Sequence, residues 1–263
     1  MFFFTSIIAF TVFGTLTVSS VLEPEWKGKV FPDPNPIEGN SIDGKYEKDH
    51  HGRIPMGVKN AKCDWGQDPE GFDGDLGPQS YTCLNDRSLY LPNPKMFPIL
   101  KKDHIPKAFV PWHRCMNESI IYNQIIPTFG DHRPLWPKYG EYSFLPKQRW
   151  VHSLEHGSIV MLYHPCADHN EVNVLKTILK RCLYQYVITA LNELEPEHPL
   201  VLVAWGVRLE ISKVEPDIVL DFIRRHAFKA PEKVNRDGQY EENLIEAAST
   251  DLQGKEDNIC PGY

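Results

Sequence analysis

The stretch from residue 158 to residue 191, SIVMLYHPCADHNEVNVLKTILKRCLYQYVITAL, decides the fold. Its first six residues are almost wholly apolar, as in a buried strand. Asp168 and Glu171 then form a helix cap, and the apolar positions behind them recur at helical spacing: Val172, Leu175, Ile178, Leu179 and Cys182. Residues 184–191 are again rich in aromatic and β-branched side chains. The stretch therefore predicts a strand–helix–strand unit with two parallel strands.

The flanking sequence extends this unit into an α+β domain. Upstream, residues 140–145 predict a short strand, and residues 146–156 predict a helix with proline in its first turn. Downstream, residues 200–211 predict one long strand with a bulge at Gly206, and Pro216 opens a last helix whose core face includes His226. We expect a small mixed sheet (strand-helix-strand-strand-helix), in which the third strand is an antiparallel neighbour and the helices pack on one face.

The rest of the chain is divided by composition. Residues 1–20 are nearly all apolar and end in the small residues that signal peptidase prefers, so they predict a signal peptide, although no Lys or Arg precedes the apolar run. The alternative is an uncleaved membrane anchor. Residues 21–103 predict an irregular, Pro/Gly-rich segment stapled by disulfides. Residues 104–231 form the expected α+β core domain, and residues 232–263 a polar C-terminal tail.

Six cysteines lie after the signal segment: Cys63, Cys83, Cys115, Cys166, Cys182 and Cys260. An even number in a secreted chain predicts up to three disulfides, with fifteen pairings open. Cys166 and Cys182 flank the predicted helix and would stand roughly 20 Å apart, so we expect them not to bond to each other. Cys260 is expected to tie the tail to the body. Asn117-Glu118-Ser119 is a glycosylation sequon, so Asn117 is the candidate glycan site.

Charge and hydropathy limit the partners. The net charge is −7 and no basic stripe occurs, so nucleic acid is not an expected partner. No second apolar stretch is long enough to span a bilayer, so membrane attachment is expected only if residues 1–20 stay uncleaved. An unidentified protein partner, for example at the cell surface, remains open. The predicted location is outside the cell or in the lumen of the secretory pathway.

Three polar residues of the helix at 146–156 form the candidate site. At 100° per residue, His152, Glu155 and His156 share one face, and two imidazoles four residues apart can hold one divalent metal ion such as zinc. The same spacing matches the H-x-x-E-H arrangement of inverzincin metalloproteases, in which Glu155 would be the general base. An ordinary polar helix face, with His156 interacting with the helix dipole, is the third interpretation.

A third metal ligand has to come from elsewhere in the chain. His132 lies in a loop rich in Gly, Asp and Pro and is the first candidate, which makes the proposed metal set His132, His152 and His156. For the hydrolase alternative, Glu210 and Glu215 are further candidates without supporting spacing. The other histidines considered, His50, His51, His104 and His113, are expected at the surface or satisfied locally.

The same segments carry a family resemblance. Residues 122–134, YNQIIPTFGDHRP, look like a pattern Y-x-x-x-P-P-T-x-G-x-H-x-P, and YGEY at 139–142, HSLEHG at 152–157, AWG at 204–206 and Phe222-Ile223 follow in the expected order. Together they resemble the domain-of-unknown-function family 3105, which occurs in bacteria and animals. Residues 164–167, 181–183 and 234–240 look closer still to an animal member.

The resemblance implies little chemistry, because the family has no settled biochemical activity. The resemblance to the animal member implies a role in stress-inducible growth restraint and a membrane-anchored form. The C-terminal part of this sequence departs from the membrane-anchored form, because it contains no transmembrane helix. The family keeps histidine at the positions of His132, His152 and His156, which favours a metal site and implies nothing about catalysis. We therefore expect a non-enzymatic secreted protein; the alternatives are a metal-dependent hydrolase and a structural binding module for a cell-surface partner.

Overall fold

The predicted strand–helix–strand unit forms in the computed structural model, which describes residues 54–69 and 71–263. Within these residues the strands are β1 (Ile99–Lys102), β2 (Gly140–Tyr142), β3 (Ile159–Tyr163), β4 (Tyr186–Ala190), β5 (Leu200–Ala204), β6 (Val207–Ile211) and β7 (Leu244–Ala247). The α-helices are α1 (Lys147–Glu155), α2 (His169–Cys182) and α3 (Pro216–His226). The expected signal segment, and the part of the expected irregular segment that precedes residue 54, lie outside the described residues.

All seven described strands join one mixed sheet in the order β1-β6-β5-β3-β4-β2-β7. β3 and β4 are parallel and directly paired, from Ile159 opposite Tyr186 to Tyr163 opposite Ala190, as the crossover requires. β5 runs antiparallel on the other side of β3. β4 and β5 are buried along their whole length and β3 along all but its last residue, which explains why their sequences are apolar except for Thr189. The α+β prediction is confirmed.

The single long strand predicted over residues 200–211 is wrong. The segment is a hairpin, in which β5 and β6 pair antiparallel and Leu200 lies opposite Ile211. Trp205 and Gly206 make the turn between them, and Gly206 has a φ of +72°. Glycine adopts that left-handed conformation without a steric penalty, so the chain reverses at the position where a bulge was expected.

The two edges of the sheet come from segments that were expected to be irregular or polar. β1 pairs antiparallel with β6, and β7 pairs antiparallel with β2. All four residues of β1 are exposed, and three of the four in β7 are exposed. A strand without a buried face shows no alternation of apolar and polar residues, so periodicity cannot detect it.

The helices follow their sequence signals closely. The Asp168 carboxylate accepts hydrogen bonds from the backbone N–H groups of Asn170 and Glu171, which confirms the predicted cap of α2. The predicted apolar positions of α2 are all buried. α1 packs against β3, while α2 packs against β4 and α3. In α3, Pro216 opens the helix as predicted, but His226 is only half-buried rather than part of the core face, since it lies in the last turn.

Three disulfides connect the chain: Cys63–Cys115, Cys83–Cys166 and Cys182–Cys260. The prediction that Cys166 and Cys182 do not bond to each other is confirmed. The first two bridges start in the segment that was expected to be irregular and fasten it to the rest of the domain, and the third ties the C-terminal residues to the end of α2. None of the helices in the described ranges is both long and apolar enough to span a membrane.

Candidate metal centre

Helix α1 carries two of the residues at the candidate centre, His152 and Glu155. All but the first residue of the helix are buried, so its polar face meets protein rather than solvent. The helix stops at Gly157, whose φ is +87° and whose backbone touches Phe228 so closely that a Cβ would lie 2.7 Å from Phe228 Cα. Glycine is therefore required there, and it fixes where the polar face of α1 ends.

Two loop segments, lying side by side, supply His113 and His132. The backbone N–H of Arg114 donates to His132 O at 2.8 Å, and the N–H of His132 donates to Trp112 O at 3.1 Å. This short parallel bridge places the two imidazoles with ring centroids 5.2 Å apart. The His152 ring stacks against both, at 4.2 Å from His132 and 5.0 Å from His113.

The four side chains converge on one point. His113, His132, His152 and Glu155 each offer a ligand atom, and these atoms all lie within 4.8 Å of one another. None of the four residues is more than 8% exposed. Zinc binds histidine nitrogen and carboxylate oxygen as well as cysteine sulfur, usually with four ligands in a tetrahedral arrangement, so a set of three imidazoles and one carboxylate suits it.

Hydrogen bonds orient each imidazole. The Nδ1 atoms of His113, His132 and His152 lie 2.8, 2.9 and 2.6 Å from the carbonyl oxygens of Ile54, Gly130 and Arg133, respectively. A carbonyl oxygen can only accept, so each Nδ1 carries a proton and donates it. A neutral ring then presents the lone pair of Nε2 to the centre. Metal-binding histidines are held in this way, with the second ring nitrogen donating to a carbonyl or carboxylate.

Two of the ε nitrogens, those of His132 and His152, are buried without a hydrogen-bond partner in the part of the chain that the structure describes. Among the described residues, no hydrogen bond is made by Nε2 of His132 or of His152, although His132 Nε2 lies only 3.1 Å from Glu155 Oε2. If His132 is neutral, a lone pair faces a carboxylate at that distance, and only a proton or a cation between them relieves the repulsion. Two ligands of a tetrahedral zinc ion, each about 2.0–2.2 Å from the metal, stand roughly 3.3 Å apart, so the spacing suits an ion.

The electrostatics keep the His152 ring neutral. Burial, reinforced by the neighbouring histidines His132, His156 and His113, lowers the pKa of His152 well below its ordinary value of 6.5. A neutral His152 offers its Nε2 lone pair throughout the physiological range. An unsatisfied buried polar atom costs about 1–3 kcal/mol, so a group of them at one point calls for a ligand.

Two buried arginines hold the segments that carry the site. The Arg133 guanidinium, next to His132, binds both carboxylate oxygens of Asp73 at 2.7 Å and the carbonyl oxygens of Cys115 and Glu118. Arg149, on α1, binds the carboxylates of Asp64 and Asp68. Arg133 thereby ties Asp73 and the loop after His113 to the segment that bears His132, and Arg149 ties Asp64 and Asp68 to the helix that bears His152.

The residues singled out from the sequence divide into two groups. His132 and His152 come together, and Glu155 joins them. His156 lies beside the cluster rather than in it, with its ring 4.8 Å from that of His152 and its Nδ1 3.7 Å from Glu232 Oε2. Of the two further carboxylates, Glu210 pairs with Lys101 and Arg208, while Glu215 precedes α3. Neither belongs to the cluster.

His113 is the residue that the sequence interpretation missed. It was expected at the surface or satisfied locally; it is buried and belongs to the cluster. The backbone bridge to His132, nineteen residues further along the chain, brings it there. The spacing of residues in the sequence does not predict a pairing between two such loops. Of the other histidines expected at the surface, His104 is exposed, and His50 and His51 lie outside the described residues. Asn117 is exposed on a turn.

Two surface cavities bear on access to the centre. One, of about 540 Å³, is lined by residues between Arg114 and Asp131, and the other, of about 500 Å³, lies between Ile105, Trp205 and Lys233. Neither is lined by any of the four cluster residues. The centre is therefore a buried polar cluster and not the floor of either cleft.

The fold and site define a disulfide-linked α+β domain with a buried three-histidine, one-carboxylate cluster. Residues 113–238 match the model of a family described as protein of unknown function (DUF3105). The match supports placing this part of the chain in that family, and it begins at His113 and spans all four cluster residues. No curated protein and no solved structure matches the chain.

Proposed function

We propose that this protein is a secreted, non-enzymatic metal-binding protein whose centre, formed by His113, His132, His152 and Glu155, holds one divalent cation, with zinc as the first candidate. One observation carries the proposal. Three imidazoles donate from Nδ1 to backbone carbonyls, and their ligand atoms lie within 4.8 Å of a buried carboxylate. Three imidazoles and a carboxylate match the ligand preference of zinc, while copper and nickel also accept imidazole.

Secretion is supported from other parts of the molecule. Three disulfides form and persist in an oxidising compartment and are rare in the cytosol. Asn117 of the sequon is exposed on a turn, where a glycan can be attached. The apolar N-terminal segment, as the predicted signal peptide, directs the chain into the secretory pathway. Treatment of the secreted protein with an endoglycosidase checks the glycan, which Asn117→Gln is expected to remove.

The hydrolase alternative uses the same residues with an added requirement. A catalytic zinc site keeps one coordination position open for water and substrate. Here the carboxylate that would serve as general base, Glu155, lies among the ligand atoms, and the four side chains are buried away from both cavities. These contacts favour a closed, binding role. Substitution with cobalt tests the point, because a closed four-coordinate site gives intense visible absorption that added small anions leave unchanged.

The metal proposal is tested on protein purified from a eukaryotic secretory host. We expect about one equivalent of zinc per chain by elemental analysis, and an affinity that falls about 100-fold or more in His132→Ala and His152→Ala. His104→Ala removes an exposed histidine outside the cluster and is the matched control, which keeps the wild-type metal content. Titration with copper, nickel and manganese identifies the preferred ion.

Two results would overturn the metal proposal. One is a wild-type protein that stays metal-free after dialysis against zinc, cobalt, copper, nickel and manganese. The other is a His152→Ala variant, folded by circular dichroism, that carries as much metal as the wild type. His113→Ala changes a loop rather than a helix and gives a second test if substitutions on α1 disturb folding.

We further propose that the protein acts in growth restraint, from its resemblance to p53-inducible protein 13. The resembling segments are residues 164–167, 181–183 and 234–240. Purified protein added to cultured animal cells is expected to slow their proliferation in a dose-dependent way. His152→Ala tests whether the metal is needed, and growth that is unchanged at any dose of wild-type protein would remove this role.

A further inference from the structure

His156 is a buried histidine that the four-ligand centre leaves unused. It follows Glu155 directly, closes helix α1 and is 2% exposed. In the described part of the chain, no hydrogen bond satisfies either of its ring nitrogens. Buried polar side chains without partners are uncommon in folded proteins, and each one needs an explanation. Its ring lies 4.8 Å from that of His152, next to the centre but outside the group of convergent ligand atoms.

Glu232 connects His156 to solvent. Its Oε2 lies 3.7 Å from His156 Nδ1, while 27% of its side chain is exposed. The backbone holds it in place, because the N–H of Glu232 donates to Glu155 O at 3.1 Å and the N–H of Phe228 donates to Gly157 O at 2.8 Å. The segment from Phe228 to Glu232 therefore covers the end of α1 and brings a carboxylate to the place where that helix stops.

Three groups that can bind metals thus lie in a row from the surface inward: Glu232, His156 and His152. Trp136 forms one wall of the row, with its ring 4.9 Å from that of His156 and 5.2 Å from that of His152. The guanidinium of Arg236 lies over the Trp136 ring at 4.7 Å.

We propose that Glu232 and His156 form the entry route of the metal ion, acting in turn as transient ligands between solvent and the buried centre. The inference rests on the metal-binding function proposed above. A bare divalent cation cannot cross a buried layer, because leaving water without replacement ligands costs many kcal/mol. Ligands that exchange one at a time avoid that cost. The partly exposed side chain of Glu232 attracts the cation, and His156 passes it to His152.

The experiment separates rate from affinity in the full-length protein. Zinc uptake by metal-stripped protein and zinc release to a chromophoric chelator are followed by stopped flow, and Kd is measured by competition. His156→Phe keeps the aromatic contact with Trp136 but removes both ring nitrogens, and Glu232→Gln removes the charge. We expect both variants to take up and release zinc about tenfold more slowly, with Kd unchanged, because a transient ligand lowers the barrier in both directions.

A matched control is Glu241→Gln, which removes one exposed charge from the same part of the chain; Glu241 pairs with Lys138 rather than with His156. Its rates are expected to equal those of the wild type. Unchanged rates in His156→Phe and Glu232→Gln would overturn the entry route, and so would a loss of affinity as large as in His152→Ala, which would make His156 a resident ligand. Wild-type protein that binds none of zinc, cobalt, copper, nickel and manganese at equilibrium refutes the metal-binding function itself; if another of these ions binds in place of zinc, the rates are measured with that ion. Glu232→Gln lies near the surface and reports on the route if His156→Phe does not fold.

Discussion

Arg133 and Arg149 are buried as deeply as His132 and His152, yet the two pairs differ in how their polar atoms are satisfied. The arginines face carboxylates and carbonyl oxygens on every side, and Arg149 also lies over the ring of Tyr240 at 4.3 Å. Each histidine makes a hydrogen bond at Nδ1, whereas Nε2 of neither makes one within the described residues. Burial of a polar group is therefore not what indicates a site. A group of buried polar atoms that the protein itself leaves incomplete does indicate one.

The largest expected effect comes from breaking the complete network. Arg149→Met keeps much of the side-chain volume but leaves Asp64 and Asp68 buried without their cation. We expect the free energy of unfolding to fall by about 3–5 kcal/mol, measured by urea denaturation. Lys138→Met breaks an exposed pair with Glu241 and is expected to cost about 1 kcal/mol or less. Equal losses in the two variants would contradict a structural role for the arginine network.

The incomplete cluster should respond to an added ligand instead. Zinc at about 100 times its Kd is expected to raise the free energy of unfolding by about 2.7 kcal/mol, because it binds the folded chain only. His152→Ala is expected to gain nothing under the same conditions. The measurement is urea denaturation with zinc and with a chelator. An equal gain in both proteins would place the zinc somewhere other than this centre.

The disulfides give a further test of the difference between overall stability and metal binding, since only Cys63–Cys115 adjoins the histidine cluster. Cys115 lies two residues after His113, and the N–H of Met116 donates to Cys63 O at 2.8 Å. Removing either Cys63–Cys115 or Cys83–Cys166 by paired alanine substitution is expected to cost about 2–4 kcal/mol. Only loss of Cys63–Cys115 should also weaken zinc binding, about tenfold or more, because it releases the His113 loop. Equal zinc affinity in the two variants would show that the bridge does not position His113.

The smallest effect concerns a buried histidine outside the cluster. His164 stacks on Tyr90 at 3.9 Å, and its Nδ1 accepts a hydrogen bond from the N–H of Cys166 at 3.0 Å. Burial lowers the pKa of His164 below its ordinary value of 6.5. The unfolded chain therefore binds this proton more readily, and the stability that neutral His164 contributes is full above about pH 6.5 and lost as the pH falls below it.

This pH dependence is measured as the change in Tm of chelator-treated protein between about pH 7.5 and pH 5.5. We expect the wild type to lose more than His164→Phe over that interval, with a difference of roughly 2–4 °C at most. Phenylalanine keeps the stacking on Tyr90 but cannot titrate. Parallel curves for the two proteins would mean that the pKa of His164 is the same in the folded and the unfolded chain, which would contradict the lowering by burial.

Much of the fold was accessible from local sequence. The strand–helix–strand unit over residues 158–191 was predicted because its strands are buried along nearly their whole length and its helix has a clear apolar face. The two edge strands were not, since β1 has no buried residue and its place is set by pairing with β6. Gly206 shows a similar limit of prediction from local sequence, because a glycine is compatible with both a bulge in one strand and a turn between two strands.

The candidate site divides in the same way. His152 and Glu155 share a helix face because the period of the α-helix is known in advance, so their proximity follows from their spacing alone. The sequence by itself thus determined the α+β class, the bonded cysteines and the proximity of His152 and Glu155, and it named His132 as a further candidate ligand. Only the tertiary structure decided that His113 lies beside His132, that His156 lies outside the cluster, and which cysteines pair. Those contacts join residues far apart in the chain, and a local pattern carries no information about which distant segments the folded backbone brings together.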